Sequence, residues 1–252
     1  MADSSLHGKG AVITGASQGI GRAIAEILAA RGAAVAVNYP FDRDRANAEA
    51  VVAGIVAAGG RAVAIQADMT RLDDIARLFD RAEQAVGPLD IAVSNAGGAA
   101  KIRPIADVTE EEYDAATGLN AKGQFFVLQQ AARRVRDGGR IVAISSSTTG
   151  MPYPGCAPYA GAKAAVEVYV KVLSRELGHR GITVNAVSPG PTDTESMRNT
   201  TPPERRDMAV KMTPLGRLGM PEDIAKVVAF LAGSDGDWVT GQNIRAGGGL
   251  IS

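Results

Sequence analysis

The chain has 252 residues with 27 basic and 27 acidic side chains, so its formal net charge is zero. This balance argues against nucleic acid or an anionic membrane as the main partner. The single cysteine, Cys156, excludes an intramolecular disulfide and is typical of a reducing compartment. With two histidines besides, no metal-ligand cluster is expected. We therefore expect a cytoplasmic protein without a signal peptide or a membrane span.

Short apolar runs alternate with longer amphipathic segments along the whole chain. Six runs are continuously rich in Val, Ile and Ala, which is typical of parallel strands buried on both faces. Such alternation predicts βαβ units and a single-domain α/β fold of the Rossmann type, a doubly wound parallel sheet of about seven strands with helices on both faces. The six predicted strands span residues 11–14, 33–38, 62–66, 89–94, 140–145 and 183–188.

Helices are predicted between these strands from their apolar periodicity. The first runs from Ile20 and ends at Gly32, and Asp73, Thr109 and Pro221 are start signals for later ones. The later helices span residues 42–58, 71–86, 109–136, 158–179 and 221–232.

Residues 191–214, rich in Thr, Pro, Met and Arg, interrupt the alternation. They are either a surface insertion or a lid over a substrate. Because ligands bind outside the carboxyl ends of the strands in such sheets, and this segment follows a strand end, we predict a substrate lid.

The first strand runs directly into the sequence GASQGIG at residues 15–21, and a helix follows. Its three glycines permit a tight turn and the close approach of backbone to a pyrophosphate, at which the helix N-terminus points its N–H groups. The spacing differs from the more widespread Gly-x-Gly-x-x-Gly. The predicted contacts here are Gly15, Ser17, Gln18, Gly19, Ile20 and Gly21.

Tyr159 and Lys163 have the i, i+4 spacing that places two side chains on one face of a helix. One of three consecutive serines at the end of the preceding strand would join them. Counting along the strand and back from Tyr159 selects Ser146, whereas counting back from Gly150 selects Ser147, and we predict Ser146. Such a set can protonate a carbonyl oxygen, or deprotonate an alcohol, while hydride moves to or from a nicotinamide.

Six motifs in this order resemble the short-chain dehydrogenases/reductases, from about residue 9 to residue 249. They are the glycine turn, the NAG sequence at residues 95–97, Asn120, Ser146, the Tyr159 and Lys163 pair, and the PG sequence at residues 189–190. The set looks most like 3-oxoacyl carrier-protein reductases.

The resemblance implies an enzyme that acts on CH–OH and C=O groups. Tyr159 would be the general acid, with its pKa lowered by the ammonium of Lys163, and Lys163 would also bind the nicotinamide ribose. Ser146 would bind the carbonyl oxygen, and Asn120 would hold a water for proton resupply. The complete set favours an enzyme over the rival reading, a non-catalytic NADP(H)-binding sensor or scaffold.

Further cofactor contacts are implied by the same resemblance. Asp68 would meet the adenine, Asn95 would line the cofactor cleft, and Thr194 would touch the nicotinamide carboxamide or the pyrophosphate. Alternatively, Asp68 caps a following turn and Thr194 caps a helix in the lid. The contacts predicted outside the glycine turn are Asn38, Tyr39, Asp68, Met69, Asn95, Ala96, Gly97, Tyr159, Lys163, Pro189, Gly190, Thr192 and Thr194.

The end of the second strand decides between NADP and NAD, because an acidic residue there binds the ribose 2′-hydroxyl and repels a 2′-phosphate. Tyr39 stands where family members that prefer NAD carry Asp. Arg22 and Arg43 can supply positive charge, although Asp42 lies nearby. We predict NADPH.

The expected reaction is the reversible reduction of a ketone to a secondary alcohol. A 3-oxoacyl thioester or related β-keto compound is the expected substrate. An aromatic polyketide, a steroid, a sugar or a small ketone is the alternative, since Met197, Met208 and Met212 suit an adaptable apolar wall in the lid. The resemblance also implies a homotetramer, or a homodimer, packed through the helices at 109–136 and 158–179 and the C-terminal strand.

Overall fold

The computed structural model describes residues 5–98 and 101–251. Within these residues one sheet contains seven parallel strands, and every neighbouring pair is parallel. The strands are β1 (Gly10–Ile13), β2 (Ala34–Tyr39), β3 (Arg61–Gln66), β4 (Leu89–Ser94), β5 (Arg140–Ile144), β6 (Thr183–Pro189) and β7 (Asn243–Ala246). Their order across the sheet is β3-β2-β1-β4-β5-β6-β7. Successive strands are added on one side of β1 up to β3 and on its other side from β4 onward, and this switch creates a ligand crevice at the carboxyl ends of β1 and β4.

Helices cover both faces of the sheet. The helices of the described residues are α1 (Gly19–Ala30), α2 (Arg45–Ala57), α3 (Leu72–Val86), α4 (Glu110–Thr117), α5 (Gln124–Arg134), α6 (Ala157–Leu177), α7 (Glu195–Thr200), α8 (Pro203–Met212) and α9 (Pro221–Ala232). One hydrophobic cluster joins the sheet to α1, α2 and α9, and a second joins the opposite face to α3, α5 and α6. Neighbouring strand residues such as Ile13 and Val12 belong to opposite clusters, so the strands are buried on both faces. The predicted fold class is confirmed.

The six predicted strands lie within one residue of the observed ones at each end. The strand that the sequence pattern did not show is β7, which has four residues and forms an edge of the sheet.

The predicted helix at residues 109–136 is wrong as one continuous helix. Thr109 does cap its start, in a reciprocal pair of hydrogen bonds with Glu112. After α4, however, the chain forms a π-helical segment, Gly118–Gly123, before α5 begins. The interruption arises because the Asn120 side chain binds backbone groups. Its amide donates to the carbonyl oxygens of Ala116 and Gly98, and its Oδ1 accepts from Gly98 N.

Other helix ends differ by smaller amounts. Residues Asp42–Asp44 form a 3-10 turn before α2, and Gly178–Arg180 form another after α6. Asp73 lies inside the first turn of α3 rather than capping it. Pro221 occupies the first position of α9, as predicted.

The segment 191–214 contains two short helices, α7 and α8. Near its start, Thr192 forms an isolated parallel bridge with Gly219, which follows the segment in the chain. Leu215 N also donates to Gly248 O at 3.2 Å, so the segment is fixed against the C-terminal residues. Across the described residues, no helix has both the length and the apolar character that a membrane span requires.

Candidate functional site

The turn between β1 and α1 forms a cradle of backbone. Gly15 and Gly19 have φ of +62° and +55°, which favour glycine. A Cβ on Gly21 would collide with the Gly15 carbonyl oxygen and lie 2.5 Å from Asn95 Nδ2. Gln18 precedes α1, and its side chain makes no capping hydrogen bond to the N–H groups of the first turn. An uncapped helix start behind a glycine cradle fits the pyrophosphate of a dinucleotide.

Two asparagines hold this cradle in shape. Asn38 Oδ1 accepts from Gly15 N at 3.0 Å, and Asn95 Nδ2 donates to the carbonyls of Thr14 and Gly15 at 2.9 Å. Asn38 is buried and also donates to Ala67 O, so it ties β2 to the end of β3. In the structure both side chains support the turn.

The end of β2 is followed by two arginines, each beside a carboxylate, with Arg43 Nε 3.9 Å from Asp44 and Arg45 Nη2 2.9 Å from Asp42. Tyr39 is buried, and the Arg45 guanidinium lies 5.9 Å from the centroid of its ring. Arg43 lies over Phe41, 4.6 Å from that ring's centroid, with most of its side chain exposed. Arg22 Nε instead forms an ion pair with Glu26 at 2.8 Å on α1. Arg43 and Arg45 are therefore the arginines that follow the strand end.

Asp68 caps a turn, as the alternative reading predicted. Its Oδ1 accepts from Thr70 N at 2.9 Å and from Thr70 Oγ1 at 2.8 Å. Met69 is buried, and its carbonyl packs against Gly123, where a Cβ would collide with it. The end of β3 is thereby joined to the π-helical segment that carries Asn120.

The side chains of Asn120 and Lys163 both lie next to the backbone of Gly97. A Cβ on Gly97 would lie 2.9 Å from Asn120 Oδ1 and 3.1 Å from Lys163 Nζ. The Asn120 amide donates to Gly98 O at 3.0 Å and Ala116 O at 2.9 Å, and its Oδ1 accepts from Gly98 N at 3.1 Å. Both amide protons are then used, while the oxygen retains one acceptor position, which is what holding a water requires.

Lys163 lies almost wholly inside the protein, with 2% of its surface exposed. Its Nζ donates to Ile144 O at 2.9 Å and lies 5.9 Å from the centroid of the Tyr159 ring. Burial disfavours the ammonium and lowers the pKa of Lys163 to about 7. Near neutral pH this side chain can therefore gain and lose a proton.

The pKa of Tyr159 moves in the direction opposite to the predicted one. Burial raises it, and the hydrogen bond with Ser146 only partly offsets that effect. The expected lowering by Lys163 is wrong for this structure, because the ammonium faces the Ile144 carbonyl and is itself weakened by burial. Tyr159 consequently keeps its proton at neutral pH and is suited to donate it.

Of the two candidate serines, Ser146 is the one whose hydroxyl lies near enough to the Tyr159 phenol to lower its pKa. Its Oγ also accepts from Thr148 N at 3.2 Å and from Thr148 Oγ1 at 3.0 Å. Ser147 begins the 3-10 turn Ser147–Thr149. The structure thus brings together Ser146, Tyr159 and Lys163 as the sequence spacing predicted.

The end of β6 and the start of α7 close the other side of the crevice. A Cβ on Gly190 would lie 2.7 Å from Gly247 Cα, and Thr192 Oγ1 donates to Gly190 O at 2.9 Å. Thr194 caps α7 by accepting from Met197 N at 3.1 Å. Its methyl carbon lies 3.3 Å from the Cβ position of Gly19, so α7 begins directly against the glycine cradle.

Sequence reasoning missed Gln124, a buried residue one turn beyond Asn120. Its Nε2 donates to Ile144 O at 3.2 Å, the carbonyl that also accepts from Lys163, and lies 3.4 Å from Ala96 O. A polar side chain on the apolar face of a helix was the available signal.

The chain is similar to known reductases along nearly its whole length. A family model described as "Enoyl-(Acyl carrier protein) reductase" matches residues 15–251. Hydroxynaphthalene reductase-like protein Arp2 of Metarhizium majus is 44% identical over 261 residues, covering 98% of this chain and 97% of that protein.

Two solved structures have the same fold at substantial sequence identity. A dehydrogenase/reductase from Sinorhizobium meliloti 1021 has a TM-score of 0.94 and 40% identity, with 100% of this chain and 98% of that chain covered. The angucycline C-6 ketoreductase LanV with bound NADP has a TM-score of 0.92 and 41% identity, with 98% and 97% covered. A protein similar to this chain thus binds NADP.

Proposed function

The chain belongs to the short-chain dehydrogenase/reductase family, and from this premise we propose that it reduces a ketone on a polycyclic aromatic polyketide to a secondary alcohol with NADPH. Reductases similar over almost the whole chain make it an NADP-using oxidoreductase rather than a binding protein without activity. The observation that carries the reaction class is the cluster of Ser146, Tyr159 and Lys163 at the carboxyl ends of the strands.

The chain's own residues supply the proton chemistry. When bound, NADPH supplies the hydride. Ser146 holds the carbonyl oxygen beside the Tyr159 hydroxyl, and Tyr159 donates its proton to that oxygen. Lys163, with a pKa of about 7, resupplies the proton, and Asn120 holds the water through which it arrives. Gly15, Gly19 and Gly21 would hold the pyrophosphate of the cofactor at the start of α1.

Preference for NADPH over NADH is proposed from the end of β2. Tyr39 occupies the place of an acidic residue, and Arg43 and Arg45 bring two guanidinium groups to this edge. Asp42 is already paired with Arg45 at 2.9 Å, which reduces its repulsion of a 2′-phosphate.

The aromatic substrate is supported by the reductases that resemble the chain, one hydroxynaphthalene reductase-like and one acting on an angucycline. Large apolar side chains exposed in and directly after the segment 191–214 suit such a ring system, namely Met208, Met212 and Leu215. A 3-oxoacyl thioester is the second candidate, favoured by the acyl-carrier-protein description of the matching family model. On either substrate we propose the segment 191–214 as the lid.

The test follows NADPH absorbance with a panel of hydroxynaphthalene-type and angucycline-type ketones, 3-oxoacyl thioesters, β-keto esters and sugars, repeated with NADH. We expect turnover of the aromatic ketones, at least tenfold lower kcat/KM with NADH, and a loss of about 10³-fold or more in Tyr159→Phe. Ser146→Ala should lose activity, and Ser147→Ala should retain it. Faster turnover of the thioesters would replace the substrate proposed here, and turnover that persists in Tyr159→Phe would contradict the mechanism.

A homotetramer is proposed from the outer surface of α5 and α6. Phe125, Val168 and Val172 are exposed there, beside a groove of about 600 Å³ whose walls include Phe126 and Tyr169. Apolar side chains contiguous over two helices are typical of an interface. A cytoplasmic location stays a prediction from the single cysteine, to be checked by cell fractionation.

A further inference from the structure

Glu167 lies on α6 one turn after Lys163, on the helix face directed at the sheet. Its Oε1 accepts a 2.8 Å hydrogen bond from the Ser145 hydroxyl and lies 3.4 Å from the Ser188 hydroxyl. Ser188 in turn donates to Asn243 Oδ1 at 2.8 Å. One carboxylate therefore hydrogen-bonds α6 to the carboxyl end of β5, and it lies beside a β6 hydroxyl whose single proton is donated to the edge strand β7.

The carboxylate is not required merely to give Ser145 an acceptor. The Ser145 hydroxyl also lies 3.2 Å from the backbone carbonyl of Lys163, which would satisfy it. Within the part of the chain that the structure describes, no basic side chain forms an ion pair with Glu167. The bond of a carboxylate to a hydroxyl is shorter and about twice as strong as a bond between neutral groups.

We propose that Glu167 is a positioning residue, which fixes Ser145 and thereby holds the next residue, Ser146, against the Tyr159 hydroxyl. Ser145 is then held from two sides, because its backbone N donates to Val187 O at 2.8 Å while its side chain is bonded to Glu167. The proposal rests on the proposed function in one respect, namely that the pair of Ser146 and Tyr159 performs the proton transfer.

The kinetic test compares Glu167→Ala, Glu167→Gln and Ser145→Ala with the wild type. In Glu167→Ala the Ser145 hydroxyl keeps only the longer contact with the Lys163 carbonyl, so Ser146 samples positions away from Tyr159. We expect kcat to fall about tenfold while KM for NADPH stays within about twofold. Glu167→Gln retains an acceptor oxygen and should come within about threefold of wild type. Glu176→Ala, an exposed glutamate on the same helix, is the matched control and should be neutral. A lower melting temperature with unchanged kcat would show a purely structural role.

A second comparison isolates the route through Ser146. In a Ser146→Ala background, adding Glu167→Ala should cost nothing further, because the group that Glu167 positions is already absent. A further tenfold loss in that background would overturn the proposal.

An activity-independent measurement separates this proposal from the proposed function. The Tyr159 phenol can be titrated by ultraviolet difference against Tyr159→Phe, with Tyr153 and Lys163 as the titratable groups that face it. The Ser146 hydroxyl lowers the pKa of Tyr159, so both Ser146→Ala and Glu167→Ala should raise that pKa. If the wild type reduces no ketone yet the pKa shifts, the positioning stands and the proposed function fails. An unchanged pKa in Glu167→Ala would contradict the positioning.

Discussion

The buried amine of Lys163 makes the free energy of unfolding depend on pH. Its pKa is lowered to about 7 by burial, whereas that of an unfolded lysine is about 10.4. Between these values the unfolded chain binds a proton that the folded protein lacks, so the free energy of unfolding rises with pH. The rise contributed by this group approaches about 1.4 kcal/mol per pH unit.

Urea unfolding of the cofactor-free protein at pH 7, 8 and 9 would check this rise. We expect the slope with pH to fall in Lys163→Met, because that variant has no amine to titrate. Lys171→Met, which removes an exposed lysine from the same helix, should keep the wild-type slope. Equal slopes in all three proteins would show that Lys163 keeps an ordinary pKa.

Single residues differ in how far sequence alone identifies them. Tyr159 and Lys163 were identified because their i, i+4 spacing predicts that both side chains lie on the same face of a helix. The choice between Ser146 and Ser147 needed the structure, since the path of the backbone after β5 decides which hydroxyl reaches Tyr159. The role of Glu167 could not be predicted from the sequence. A glutamate in a helix is expected to be solvent-exposed, and only the structure shows its contact with Ser145 at the end of β5.

Helix α7 couples the segment 191–214 to the cofactor cradle through its first residues. Thr194→Val keeps a methyl near Gly19 but loses the oxygen that accepts from Met197 N. The loss of this cap destabilises the start of α7 by about 1 kcal/mol. We expect the Kd for NADPH, measured by fluorescence titration, to rise about fivefold.

Thr194→Ser keeps the capping oxygen and should bind NADPH as the wild type does. Thr200→Val, which removes a hydroxyl bonded to Ser196 O at the other end of α7, is the control. If Thr200→Val weakens binding equally, general stability of the helix matters rather than its capped start.

Elements were predictable where the pattern was local. The six buried strands and most helices follow from apolar runs and periodicity, but the interruption between α4 and α5 does not. Periodicity continues through Gly118–Gly123, and the cause of the interruption is a contact with the distant Gly98. Strand β7 was missed because its four residues are only partly buried and include polar side chains, so they lack an apolar run.

For the whole molecule, the exposed surface of α5 and α6 makes the oligomeric state testable. Val168 is 55% exposed on that surface, and a charge there would have to be buried in the proposed interface. We expect the wild type to elute with the mass of four chains and Val168→Glu to elute as a smaller species, measured by size-exclusion chromatography with light scattering.

Val56→Glu is the matched control, since Val56 is 53% exposed but lies on α2. It should keep the wild-type mass. A single-chain mass for the wild type would contradict the proposed tetramer.

The order of the strands in the sheet also determines how the protein must be made. The strand β1 lies inside the sheet, between β2 and β4. Thr14, directly after β1, bonds to Val93 of β4, which is 79 residues later in the chain. At about 5–20 residues per second, a ribosome needs roughly 4 to 16 s to supply that neighbour. During this time the backbone N–H and C=O groups along one edge of β1 are unpaired and can pair with other nascent chains. The yield of active protein in a cell therefore depends on the protection of this edge during translation, as well as on the stability of the finished sheet.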